Sequence, residues 1–478
     1  MNRKLILHTL GLVLIIEAIC MILPFVCGII YKETASMSFL ICAAVIALIG
    51  ICLKLIPLKD KSMYAKEGLL IVALSWIIMS LAGATPFLIS GSIPSYVDAL
   101  FETASGFTTT GASVLSDVEA LPKCMIFWRS FTHWIGGMGV LVFLVALLPI
   151  SGGNNVHLMR AESTGPSVSK LVPKIKSTAK ILYAIYSVMT IVQIILLILG
   201  DMPLFDAITT AFGTAGTGGF GIKNDSMASY SPYIQNVTTI FMFLFGVNFS
   251  LYYLLLIKHF KDVWHSTELK VYTLIFLCAS IIIGLNILPQ YQSIREALRH
   301  SAFQVSSIMT TTGFSTTDFN QWPELSKTIL LIIMFVGACA GSTGGGMKVS
   351  RIIIMLKGLT KELKLAIHPK SIHKITLDGR VIEHETVRIV NVYAISFTAI
   401  YALSLLLISL DNFSFTTNFT AIAAAINNIG PGFDAVGPTS NFGMFSDFSK
   451  VVLIFDMLVG RLEIFPMLAL ISPFTWKK

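Results

Sequence analysis

The chain reads as an all-α membrane protein. Ten transmembrane helices are expected, eight of them paired into four helix–pore-loop–helix repeats around one pore and two preceding the repeats. Three observations predict this. The 478 residues are 55% hydrophobic and 13% charged, too few charges to cover a surface in water. Several apolar runs reach the length that crosses a hydrocarbon core. Thirdly, one short polar stretch keeps returning: Thr108-Thr109-Thr110-Gly111 comes back as Thr310-Thr311-Thr312-Gly313, with weaker copies at Ala215-Gly216-Thr217-Gly218-Gly219-Phe220 and Asn427-Asn428-Ile429-Gly430. Aligned on Gly111, Gly218, Gly313 and Gly430, the copies are 107, 95 and 117 residues apart, each between two apolar runs.

Taken in order, the first two apolar runs, 5–30 and 36–57, have no such stretch between them and form an N-terminal unit, 1–66. The first is too long for a signal peptide and lacks a small-residue cleavage site, so it is kept as a helix. Repeat one, 67–160, has helices at 68–90 and 124–149 around a half-polar segment at 97–113. Repeat two, 161–265, has helices at 179–200 and 234–257 around 203–221. Repeat three, 266–384, has helices at 270–288 and 326–356 around 296–315; repeat four, 385–478, has helices at 386–410 and 447–472 around 415–433. The seven cysteines form no CxxC pair and read as core packing.

Charge gives orientation. With the N-terminus inside, the inner segments hold 25 Lys and Arg and the outer ones 8, with Arg461 alone inside a span. That excess predicts two cytoplasmic termini and four Thr/Gly loops entering from outside. The net charge of +8 is thereby a topology signal and calls for no nucleic acid. Lys348–Arg388, with Lys170, Lys174, Lys176 and Lys180, makes a basic cytoplasmic surface suited to an acidic protein or anionic lipid.

A half-polar segment such as Asp98–Ser105 is too short to span, and non-helical backbone at membrane depth is tolerated only inside protein or beside water. A half-helix ending at the Thr-Gly turn directs its negative dipole end at the pore. Extended backbone beyond it offers carbonyls that replace a cation's water, and glycine permits the dihedrals this needs. The candidate cation-binding residues are Thr109, Thr110 and Gly111; Gly216, Thr217 and Gly218; Thr311, Thr312 and Gly313; and Asn428, Ile429 and Gly430. Gly216–Gly221 also fits GxGxxG but has no preceding strand, and Gly341–Lys348 resembles a P-loop with its lysine misplaced by one residue, so neither reads as a nucleotide site.

The second helix of repeat three is interrupted: Gly337 to Gly346 holds five glycines in ten residues, each costing about 1 kcal/mol relative to alanine in a helix. Gly341 lies 28 residues after Gly313, and Arg461 lies 31 after Gly430, so the two fall at similar depth. An arginine there costs about 2.5–3.5 kcal/mol and must face protein or water. Carbonyls freed by the interruption are its expected partners, with Asp456 or Glu463 as the structural alternative. The candidate gate is therefore Gly341, Ser342, Thr343, Gly344, Gly345, Gly346, Lys348 and Arg461. Arg129 and His133 are expected to pack against a pore helix, and Glu17 and Asp201 to be interfacial or paired near span ends.

Trp128-Arg129-Ser130-Phe131-Thr132-His133-Trp134-Ile135-Gly136-Gly137-Met138-Gly139, Arg160-Ala161-Glu162, Gly341–Gly346 and Gly460-Arg461-Leu462-Glu463 resemble the Trk/Ktr/HKT superfamily of potassium transporters. The two extra N-terminal helices make the chain similar to the TrkH branch, over nearly its whole length. The resemblance implies K⁺ as the transported ion, one pore per subunit, a homodimer in the bacterial inner membrane, and a cytosolic nucleotide-binding regulatory partner similar to TrkA. It maps the filter glycines onto Gly111, Gly218, Gly313 and Gly430, the gating loop onto 337–348, and the intramembrane arginine onto Arg461. Two departures stand out: His133 replaces an expected glutamine, and Ile429 stands where the other repeats have threonine. Gly111, where sodium-permeable relatives carry serine, favours potassium.

The expected function is K⁺ uptake through a gated channel-like pore, with Na⁺- or H⁺-coupled symport as the alternative. No chain of buried Asp, Glu or His suggests a proton relay. A polytopic membrane enzyme would need a nucleophile, metal cluster or acid–base pair at one depth, and no such set is found.

Overall fold

The computed structural model describes residues 1–58, 64–139 and 175–476. Residues 140–149 of repeat one's second helix, Arg160-Ala161-Glu162, the boundary at 160/161, Lys59, Lys61, Lys170, Lys174, Lys477 and Lys478 lie outside the described residues, as does the side chain of Lys176. Among the described residues the chain is a bundle of apolar helices with one hairpin of two-residue strands, β1 (Thr376–Leu377) paired antiparallel with β2 (Arg380–Val381).

The N-terminal unit is α1 (Arg3–Cys20), α2 (Ile22–Ile30) and α3 (Ser36–Lys54). Gly11 and Gly50 let α1 and α3 touch backbone to backbone: a Cβ on Gly11 would stand 2.7 Å from the Gly50 carbonyl oxygen. Small residues at such crossings are how membrane helices gain close packing. Glu17 departs from expectation. It is buried within α1, and neither carboxyl oxygen has a hydrogen-bond partner among the described residues. Cys52 and Cys278 are exposed rather than packed in the core.

The repeats share one plan. Repeat one has α4 (Ala65–Ile89), a half-helix α5 (Tyr96–Phe107) and α6 (Lys123–Gly137). Repeat two has α7 (Ile175–Leu199), α8 (Leu204–Ala215), α9 (Pro232–Phe245) and α10 (Phe249–Leu256), followed by a short α11 (Phe260–His265). Repeat three has α12 (Thr267–Ile287), α13 (Ile294–Met309), α14 (Glu324–Val336) and α15 (Val349–Ile367). Repeat four has α16 (His384–Ile408), α17 (Phe415–Ile426), α18 (Asp447–Arg461) and α19 (Phe465–Ile471), and the short α20 (Pro473–Trp476) follows.

Six described helical segments are long and apolar enough to cross a membrane, or seven if the bent pair α9–α10 is one span. Three further crossings are broken within the described residues. Repeat three's second helix is interrupted as expected, but repeat two's, expected to be continuous over 234–257, turns by 91° between α9 and α10. Repeat four's, expected over 447–472, breaks after Arg461, where Glu463 and Ile464 both take positive φ. Asn248 explains the first break locally: its side chain accepts from the Ser250 amide and caps a fresh helix start.

The four half-helices are 12, 12, 16 and 12 residues long. At about 1.5 Å per residue none reaches across a core about 30 Å thick. Ser95, Ser293 and Ser414 cap three of them by accepting from backbone amides, and Asp98, Asp206 and Glu296 put an acid in the first turn of three. All four point their carbonyl ends into the Thr/Gly loops.

Candidate functional site

The same backbone is built four times where the half-helices end. Thr109, Thr217, Thr311 and Asn428 take φ of 55°, 54°, 60° and 55°. Two residues on, Gly111, Gly219, Gly313 and Gly430 take 79°, 71°, 88° and 100°. Between them, the amides of Thr110, Gly218, Thr312 and Ile429 bond back to Ser105, Gly213, Ser307 and Ala424 carbonyls at 2.8–2.9 Å. A β-branched threonine at positive φ is a genuine outlier, of a kind that costs about 1–3 kcal/mol and clusters at functional sites. Three occur at one equivalent place, and the fourth repeat puts asparagine there, which tolerates the conformation better.

This geometry shifts the alignment of repeat two by one residue. Gly219, not Gly218, is the counterpart of Gly111, Gly313 and Gly430; Gly218 stands with Thr110, and Gly216 is the last helical cap. Two adjacent glycines leave the choice open to a sequence pattern, and only the dihedrals make it.

The four loops close on one another. A Cβ on Gly111 would overlap the Gly218 carbonyl oxygen, one on Gly219 that of Thr312, and one on Gly313 that of Ile429. On Gly430 it would stand 2.9 Å from the Thr110 carbonyl oxygen. The cycle runs one, two, three, four and back to one. The same four glycines line a single cavity of about 180 Å³.

On the cavity side, Glu102 and Arg129 brace the loops of repeats one and two. Arg129 Nε donates to Glu102 Oε1 at 2.7 Å, and both side chains are buried. Glu102 also accepts from the Ser113 hydroxyl and the Val114 amide, while Arg129 reaches the Gly221 carbonyl at 3.3 Å and lies 4.1 Å from the Phe220 ring centre. Arg129 thus packs on the pore half-helix as expected. So does His133, whose Nδ1 lies 2.8 Å from the Gly106 carbonyl oxygen.

At the half-helix ends sits the interrupted segment of repeat three. A Cβ on Gly344 would stand 2.8 Å from the Thr310 carbonyl oxygen, and one on Gly345 would overlap that of Asn427. The Gly345 amide donates to Thr311 Oγ1 at 2.6 Å. Lys348 Nζ donates to the Gly344 carbonyl, closing the loop on itself. Arg461 donates to the Thr343 carbonyl at 2.7 Å and to those of Gly136 and Gly137 at 2.5 and 2.7 Å. The expected carbonyl partner is therefore present, joined by two from the end of α6. The other acids are engaged elsewhere: Asp456 accepts from Ser404, and Glu463 pairs with Arg351.

Two anchors escaped the sequence reading. Glu268 Oε1 accepts from the Ala340 amide at 2.8 Å and the Ser350 amide at 3.0 Å, pinning both ends of the loop. The break between α9 and α10 holds its middle, through Cys339 N–H to Gly246 O at 3.0 Å and Phe249 N–H to Gly341 O at 3.0 Å. In sequence Glu268 looks like an ordinary first-turn acid; its partners are 72 and 82 residues away.

A family model described as TrkH, cation transport protein, matches residues 36–478. The chain belongs to the TrkH family of cation transport proteins. It is 36% identical over 491 residues to the Trk system potassium uptake protein TrkH of Salmonella typhimurium, covering all of both chains. It is 32% identical to the Trk system potassium uptake protein TrkG of Escherichia coli K12, covering 99% of each. The crystal structure of the potassium transporter TrkH from Vibrio parahaemolyticus superposes with a TM-score of 0.90 at 33% identity, again over the full length of both. The chain is thus a multi-pass transporter of the TrkH family and not an enzyme. Among the described residues no group of His, Cys, Asp and Glu is placed to hold a metal ion.

Proposed function

We propose that the chain takes up potassium ions through a channel-like pore. The observation that carries this is the closed cycle of four glycine loops, each glycine set against the next repeat's carbonyl. A ring of backbone oxygens with four half-helix carbonyl ends behind it replaces the water around a monovalent cation. The relatives named potassium uptake proteins supply the ion. The ion-lining segments are Thr109–Gly111, Gly216–Gly219, Thr311–Gly313 and Asn428–Gly430, and the loop 337–348 with Arg461 is the gate.

Channel-like conduction suffices energetically. A membrane potential of about −150 mV is worth about 3.5 kcal/mol per charge, or about 300-fold accumulation without a coupled ion. In liposomes holding a K⁺ diffusion potential, Rb⁺ uptake is expected to proceed at the same rate with or without a Na⁺ or H⁺ gradient. Uptake that appears only with one of those gradients establishes the symport alternative instead.

Both termini are proposed to be cytoplasmic. A cysteine at Asn441, in a cysteine-free background, is expected to react with an impermeant thiol reagent from outside, and one at the exposed Lys370 only after permeabilisation. The reverse pattern overturns the orientation. The basic α15 and its hairpin, tied by Lys357 Nζ to the Thr376 carbonyl and by the Thr267 amide to Asp378, form a ready cytoplasmic platform. A homodimer carrying a cytosolic nucleotide-binding regulatory subunit on that platform is proposed, and light scattering of the purified assembly measures both stoichiometries.

A further inference from the structure

The four filter segments are alike in backbone but not in what stands behind them. In repeats one and three a pair of threonines fills that space: the hydroxyls of Thr108 and Thr110 lie 2.8 Å apart, as do those of Thr310 and Thr312. In repeat four Asn428 reaches across, its amide donating to Thr110 Oγ1 and to the Met457 carbonyl, each at 2.9 Å. Repeat two has Gly216 and Gly218 at the threonine positions and so has no side chain there.

The space is filled from another repeat. The His133 imidazole, on α6, occupies it so fully that a Cβ on Gly218 would overlap three ring atoms. A Cβ on Gly216 would overlap the His133 carbonyl oxygen. The ring packs 4.2 Å from the Phe220 ring centre and is fully buried. Its two nitrogens are both used. Nδ1 lies 2.8 Å from the Gly106 carbonyl oxygen, which only accepts, so Nδ1 carries the hydrogen. Nε2 accepts from the Phe220 amide at 3.2 Å. One neutral tautomer therefore ties the end of half-helix α5 to the loop just beyond Gly219.

We infer that His133 is a specificity-positioning residue, the missing filter side chain of repeat two supplied by repeat one. It touches no ion; it fixes the Gly218 carbonyl, which is one of the four in the ring, by filling the volume behind it and by holding Phe220. Glutamine can do the same work. Its amide nitrogen donates to Gly106 O, its oxygen accepts from the Phe220 amide, and the two atoms are spaced much as the ring nitrogens are. Leucine fills volume and leaves both backbone groups unpaired, a loss that reaches tenfold and more in discrimination when the groups are buried.

The test is the K⁺-over-Na⁺ ratio in competition with Rb⁺ uptake into liposomes, which does not depend on how much of a variant is active. This inference rests on the transport reading, and the parent's own ratio tests that reading separately. His133→Gln is expected to stay within about twofold of the parent, and His133→Leu to fall by about tenfold or more. A second pair of variants reads the packing alone. Gly218→Thr is expected to abolish discrimination in the parent, where its Cβ meets the ring. In a His133→Ala background the same substitution should do no further harm, because the ring is gone. His133→Leu with the parent's ratio, His133→Gln no better than His133→Leu, or Gly218→Thr equally damaging in both backgrounds each overturns the inference.

Discussion

Arg461→Ala is expected to raise basal Rb⁺ flux, without any regulatory subunit, by about tenfold or more. The guanidinium makes three charge-assisted bonds, to Thr343 in the loop and to Gly136 and Gly137 at the end of α6. It therefore ties the repeat-three loop to repeat one, and on the proposed transport reading it puts a positive charge beside the ion path. Bonds of this kind contribute about 1.5–3 kcal/mol each, so losing even one coupling of that size changes an open–closed equilibrium by an order of magnitude. Arg461→Lys keeps the charge and loses the planar fork that reaches three carbonyls at once, and should fall between parent and alanine. Deleting Ser342–Gly345 removes the Thr343 carbonyl itself. The deletion and Arg461→Ala should each raise flux, and together they should add little to either alone, since both act on one barrier. If both variants fold and conduct no faster than the parent, the loop is not the gate. Arg461 then only pins α18 to its neighbours.

What the sequence made legible depended on distance along the chain. The half-helices and their glycine loops are local features, and repetition made them visible: Phe101, Ser105 and Thr108–Gly111 return as Phe303, Ser307 and Thr310–Gly313 at matching spacing. Arg461's nearness to the repeat-three loop followed from counting residues beyond Gly313 and Gly430. The misplaced register in repeat two had a local cause, since Thr217-Gly218 matches Thr110-Gly111 in letters while backbone conformation matches Thr217 to Thr109. The break between α9 and α10 was invisible for a different reason. Gly246-Val247-Asn248 is a mild interruption in an apolar run, and what holds it open is repeat three's loop, whose Cys339 amide and Gly341 carbonyl bond to the freed backbone. Tertiary partners of that kind let membrane helices break where no proline marks the place. The Arg129–Glu102 brace and the Glu268 anchor belong to the same class, because pairs of this separation in sequence become visible only once the helices are packed.

The corrected register yields the second large effect. Gly219→Ser is expected to lower K⁺-over-Na⁺ discrimination as severely as Gly111→Ser and Gly313→Ser, by about tenfold or more. Two costs act at each site. The residue holds φ of 71°, 79° or 88°, which a side chain with a Cβ adopts only under strain. The new Cβ also overlaps a neighbouring carbonyl oxygen, that of Thr312, Gly218 or Ile429 respectively. Because the contacts run in a cycle, a push at one glycine displaces the next repeat's oxygen rather than its own. Relief moves a ring oxygen away from the geometry that replaces water around K⁺, and a smaller, more tightly hydrated ion then competes better. Gly430 is the informative contrast. Its Cβ would meet the Thr110 oxygen at 2.9 Å, the mildest contact of the four, though its φ of 100° is the most extreme. Gly430→Ala should therefore fail through backbone strain more than through the ring, losing uptake rate with discrimination less affected. Competition of Na⁺ against Rb⁺ uptake, compared with maximal uptake rate across the four variants, separates the two costs. Parent-like discrimination in Gly219→Ser would return Gly218 to the place the letter-by-letter alignment assigned it.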